Sequence, residues 1–148
     1  MTRLLFALTL LYLLLPACTN KRQPQPYEGN WTQVTRINNA YVIYIPCALD
    51  LRKMKVTDSA IHEVLPMEVN DSRIVSTTPV NGGYRLKGKE SVYTFKWLDQ
   101  QKGTAEWTIQ YSPSSPEETV VFVDDDHEKD FEKVHQPESD CANNADTR

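Results

Sequence analysis

Two runs in the second half of the chain leave little room for anything but β-structure. Tyr93, Phe95 and Trp97 alternate with Thr94 and Lys96, and Trp107, Ile109 and Tyr111 alternate with Thr108 and Gln110. Successive side chains of a strand point to opposite faces, so each run puts aromatic and aliphatic groups on one side and polar groups on the other. Residues 100–103 lie between the runs and end in Gly103. Two alternating runs joined through a glycine-containing turn predict a β-hairpin.

The same pattern extends in both directions. Residues 31–37 and 40–47 flank the turn-prone pair Asn38-Asn39, and residues 73–77 and 84–86 flank Asn81-Gly82-Gly83. Shorter strands are expected over 52–56, 60–65 and 119–123, with no helical periodicity among them. The reading is all-β: a small antiparallel barrel or sandwich of about eight strands, followed by a short C-terminal helix. Residues 27–123 form the β domain.

Charge divides the chain unevenly. Residues 18–116 hold nine acids and twelve bases, whereas residues 117–148 hold eleven acids against Lys129, Lys133 and Arg148. Asp125 or Asp126 is expected to cap a helix reaching about His135, with Phe131 and Val134 as its apolar stripe. Residues 124–148 are thus read as an acidic C-terminal helix and tail. Asp124, Asp125, Asp126, Glu128 and Asp130 form an acidic patch suited to a basic protein partner. They lack the looped spacing and the glycine bend of a calcium site, and no metal is expected.

At the other end, Arg3 precedes an apolar stretch of twelve residues, 4–15, which closes on Leu15-Pro16-Ala17-Cys18. That length suits a secretory signal and is too short for a membrane span. The segment resembles the bacterial lipoprotein signal, with 1–17 as signal peptide and Pro16 an unusual residue within the lipobox. The resemblance implies a diacylated and N-acylated Cys18, hence a membrane anchor of covalent lipid. Residues 18–26 would be the lipidated cysteine and a flexible tether. Thr19, where inner-membrane lipoproteins carry Asp, implies the outer membrane of a bacterial cell envelope. The alternative is an ordinary signal cleaved near Ala17. With Cys18 lipidated, Cys47 and Cys141 remain to pair in an oxidising compartment. Their loop of about ninety residues would contribute ~4 kcal/mol by the loop-entropy model.

Gly29-Asn30-Trp31, at the start of the first strand, is similar to the Gly-x-Trp of lipocalin-type barrels. The likeness implies that Trp31 plugs one barrel end and that a small apolar ligand occupies the interior. The lipocalins' other two motifs are missing. Trp31, Tyr93, Phe95, Trp97, Trp107 and Tyr111 are therefore read either as ligand lining or as core.

Catalytic patterns are not in evidence: there is no Gly-x-Ser-x-Gly, no phosphate-cradling glycine loop and no Cys-x-x-Cys. The reading is of a non-enzyme without a cofactor. Scattered bases and an overall acidic charge point away from nucleic acid. Two functions are carried forward. One is a membrane-anchored envelope lipoprotein acting by protein binding, as an inhibitor or immunity factor or as an envelope assembly factor. The other is a lipocalin-like carrier or sensor of a small apolar ligand.

Overall fold

The alternation seen in the sequence becomes the two faces of one curled antiparallel sheet. The computed structural model describes residues 22–142 apart from Ala48. Cys18 and the lipobox lie outside the described residues.

Strand β1 (Gly29–Ile37) is the hub of the sheet. Along one edge it pairs with β10 (Glu118–Asp124), in the register Trp31 to Asp124 and Val34 to Val121. Its other edge is divided between two strands. Gly29 to Thr32 pair with β3 (Lys53–Val56), and Thr35 to Ile37 pair with β2 (Ala40–Ile45). Asn38 and Asn39 make the β1–β2 turn with φ of 49° and 66°. Both central residues are left-handed, the geometry that matches strand twist in a two-residue hairpin loop and that Asn tolerates well.

From this hub the sheet runs through β3, β4 (Ala60–Val64) and β5 (Val69–Arg73) on one side. On the other it runs through β10, β9 (Thr104–Gln110), β8 (Val92–Asp99), β7 (Gly83–Lys87) and β6 (Ser76–Val80). The predicted hairpin is β8–β9, with Phe95 opposite Trp107 and Tyr93 opposite Ile109. The outermost strands, β5 and β6, are consecutive in the chain. Between them, Ile74 N–H donates to the Ser59 carbonyl at 2.8 Å, and Val75 N–H donates to the Lys87 carbonyl at 2.8 Å. One segment therefore leaves the β4 side and joins the β7 side, and the strongly curled sheet forms a half-barrel.

The sequence reading expected one strand over 73–77, where this hand-over in fact occurs. It also expected fewer strands than the eleven in the sheet. The difference arises because β5 and β6 divide what looked like one run, and because a further strand, Lys133–His135, lies downstream.

That further strand corrects the predicted helix. Residues 125–135 form no α-helix; Glu128–Asp130 make a single 3-10 turn, and Lys133–His135 form β11, parallel to β2. Phe131 and Val134 are thus not one helical stripe. Phe131 packs against a second apolar cluster built on Val34, Ile43 and Val123. The outward side of β1 and β10 is apolar, and burying it against β2 and the C-terminal segment outweighs the local helix signal of the acids. The short C-terminal helix follows as α1 (Glu138–Ala142). Cys141 within it is bridged to Cys47, with Cα atoms 5.8 Å apart. The acidic C-terminal part is therefore folded onto the barrel wall as far as α1.

Candidate functional site

The interior has two chemically different halves. Trp31 is buried, and its indole N–H donates to the Tyr27 carbonyl at 3.1 Å. Its ring centroid lies 5.6 Å from Phe95 and from Trp97 and 5.7 Å from Trp107, while Phe95 and Trp107 are 5.2 Å apart. These are edge-to-face and tilted contacts, the arrangement that aromatic quadrupoles favour. Trp31, Phe95, Trp97 and Trp107 thus fill one another's space. Trp107 is completely buried, and its indole N–H has no hydrogen-bond partner among the described residues.

Tyr93 and Tyr111 belong to the other half, which is polar. At its centre is Arg52, 6% exposed, with Glu63, which is fully buried. Arg52 Nε donates to Glu63 Oε1 at 2.9 Å, and Nη1 and Nη2 grip both oxygens of Glu118 at 2.9 and 3.1 Å. Nη2 also donates to the Tyr111 hydroxyl at 2.8 Å, which itself donates to Glu63 at 3.1 Å. The guanidinium carbon lies 5.8 Å above the Phe122 ring. Next to this group, Asn70 donates to the Tyr93 hydroxyl at 3.2 Å, and the Ser72 and Ser91 hydroxyls are 2.6 Å apart.

Burial opposes the charge on Arg52, but Glu118, Glu63 and Tyr111 outweigh it and hold its pKa above the ordinary value. Burial pushes the Glu63 carboxyl up, against the pull of Arg52 and Tyr111. Burial and the charge of Glu63 both raise the Tyr93 and Tyr111 hydroxyls, so both stay neutral and able to donate. A network with its donors and acceptors matched in this way is what lets these charges stay buried.

Neither Arg52 nor Glu63 was picked out from the sequence. The available signal was phase: Arg52 falls in the inward phase of Met54 and Val56, and Glu63 in that of Ile61. A charge at the inward phase of two neighbouring strands demands a partner.

The acidic patch is less free than its composition suggests. Asp124 Oδ1 lies 2.6 Å from His127 Nδ1 and accepts the His127 backbone N–H at 3.0 Å. Asp125 accepts from the Asn30 amide at 2.7 Å. Glu128 accepts from the Thr32 hydroxyl at 2.9 Å and from Lys133 at 3.1 Å. These three carboxylates pin the segment to the barrel, whereas Asp126 and Asp130 are exposed. The bond to Asp124 raises the pKa of His127. Burial pushes Glu128 up, but Lys133, Thr32 and Lys53 together hold it below its ordinary value. Gly103, with φ +64°, lies flat against this corner, where a Cβ would meet His127 Nδ1 and the Asp124 carboxylate.

Beside the pinned segment runs a groove of about 670 Å³. Its apolar lining is Tyr41, Leu98 and Phe131, and Asp130, Glu132 and His127 supply its polar rim on the C-terminal side. Tyr41 and Phe131 also pack against the outer apolar cluster, and Leu98 is 47% exposed. Among the described residues, no group of three or more His, Cys, Asp or Glu is placed to hold a metal ion. No helix among them is long and apolar enough to cross a membrane, a statement that does not extend to strands.

What fold and site define is a small all-β half-barrel with an aromatic cluster and a buried polar network inside and a partly acidic groove outside. Comparison with known protein families, with curated proteins and with solved structures finds no match.

Proposed function

We propose that this chain is a lipid-anchored protein of the bacterial envelope that acts by binding another protein, as an inhibitor or immunity factor or as an envelope assembly factor. The anchor rests on the resemblance of residues 1–18 to a lipoprotein signal, and outer-membrane placement on Thr19. The binding role rests on one observation. The interior, where a carrier would hold its ligand, is taken up by Trp31, Phe95, Trp107, Tyr93 and the Arg52–Glu63 pair. The carrier reading would require those rings to part. What the molecule offers a partner is its outside, where an acidic segment is held rigidly in place and can steer a basic surface toward it.

Cross-linking of the full chain in its own envelope tests the reading. A protein adduct that disappears at high salt and in the Asp126→Lys/Asp130→Lys variant is the expected result. A small non-covalent mass on the purified protein, with no protein adduct, would sink the binding role and restore the carrier. The anchor has a separate test: Cys18→Ser should release the chain from the membrane fraction, and unchanged fractionation would remove the lipid from the proposal.

A further inference from the structure

We propose that the groove between the β1–β2 turn, the turn after β8 and residues 127–132 seats a partner segment in which an apolar side chain is flanked by lysine or arginine. This rests on the protein-binding reading above and names its site and the chemistry of its partner.

The groove brings together two features that a simple solvated surface keeps apart. Its floor is apolar: Tyr41 and Phe131 continue the outer cluster toward solvent, and Leu98 is one of the few large apolar side chains left about half exposed. Its C-terminal wall is acidic: Asp130 and Glu132 line it beside His127. Both basic groups of the groove already have a carboxylate partner, Lys102 at 3.5 Å from Asp99 and His127 Nδ1 at 2.6 Å from Asp124, so neither cancels the field of Asp130 and Glu132.

An apolar side chain entering between Tyr41, Leu98 and Phe131 would remove all three from water. Flanking cations would then stand within reach of Asp130 and Glu132. Charge sets approach and register, and the apolar anchor supplies most of the affinity. The wall is also prearranged. Asp125 bonded to Asn30, and Glu128 bonded to Thr32 and Lys133, fix the backbone of the segment before any partner arrives, so little ordering entropy is lost on docking.

The test uses the full chain in detergent, labelled for amide NMR. The probe is a ten-residue peptide of alternating lysine and leucine; glutamate–leucine and lysine–serine peptides serve as controls. The expected result is binding of the lysine–leucine peptide with shifts centred on Leu98, Thr104, His127 and Phe131. Raising salt from about 0.05 to about 0.5 M should weaken it roughly tenfold. The lysine–serine peptide and the Leu98→Lys variant should each lose about tenfold or more in affinity.

Shifts centred elsewhere, equal binding of the control peptides, or no binding overturn the groove assignment. Concentration-dependent shifts of the same amides without peptide also overturn it, by giving the groove to a second copy of the chain. A photo-cross-linking residue at Asp126, used in the host envelope, separates the two levels. A protein captured there while groove variants bind it normally leaves the protein-binding reading standing and removes the groove. No protein captured there removes both.

Discussion

The two halves of the barrel interior solve the same burial problem in opposite ways. Around Trp31 the strands turn aromatic rings inward, and edge-to-face packing fills the space with apolar surface. Around Arg52 they turn charges and hydroxyls inward, and the space is filled by groups that must be matched one to one. The first half tolerates imperfection gradually, because each lost contact is small. The second fails abruptly, because a single missing partner strands a buried charge. Stability should therefore respond to size at one end and to pairing at the other.

The largest effects test that contrast directly. Trp107→Ala should cost about 4 kcal/mol in urea unfolding, as expected of a large ring removed from a packed core. Trp107→Phe should cost much less, since the indole N–H it removes has no partner among the described residues. Arg52→Met should cost about 3 kcal/mol, because Glu63 is left fully buried without its cation, beside the Tyr111 hydroxyl. Adding Glu63→Leu to Arg52→Met should recover most of that loss, to within about 1 kcal/mol of the starting protein. If the double change is as damaging as the sum of the singles, the polar half behaves like the aromatic one and the comparison breaks.

A smaller effect is expected at the acidic corner. His127 has a raised pKa in the folded chain through Asp124. The folded state therefore holds that proton more tightly than the unfolded state. The stabilisation is complete below the ordinary histidine value and is lost as pH rises through the folded-state value above it. Unfolding midpoints should fall slightly from pH 6 upward in the natural chain, and Asp124→Asn should flatten that slope. A slope unchanged in the variant would remove Asp124 as its cause. The smallest effect is predicted for Asp130→Lys, which should alter stability by less than about 0.5 kcal/mol while weakening any basic partner.

Much of the sheet was legible because period-two alternation is a local signal. The β8–β9 hairpin, the Asn38-Asn39 and Asn81-Gly82 turns and the all-β class all follow from neighbouring residues. The Cys47–Cys141 bridge followed from counting, once Cys18 was set aside. What was not legible depends on contacts distant in sequence. The acids of 124–130 fit a helix start by themselves, yet Phe131 has an apolar surface to cover across β1 and β10. The Arg52–Glu63–Glu118 network joins β4 and β10 to the residue before β3 through a curvature that no single strand encodes. Leu98 joins Tyr41 and Phe131 in one groove only because the β1–β2 hairpin and the C-terminal segment lie beside the turn after β8.

The position of the disulfide has a mechanical consequence. Cys47 and Cys141 are 94 residues apart, so β3 to β11 lie inside one covalent ring, and β1 and β2 precede it. Tension applied at the N-terminal end first meets the ion pairs of Arg22 with Glu28 and Asp58, and then β1. That strand is hydrogen-bonded on both edges, to β10 on one and to β3 and β2 on the other. A pull along it must shear several bonds together, whereas peeling an edge strand breaks them one after another. Even after β1 yields, the ring cannot be drawn out, so extension stops at the first cysteine.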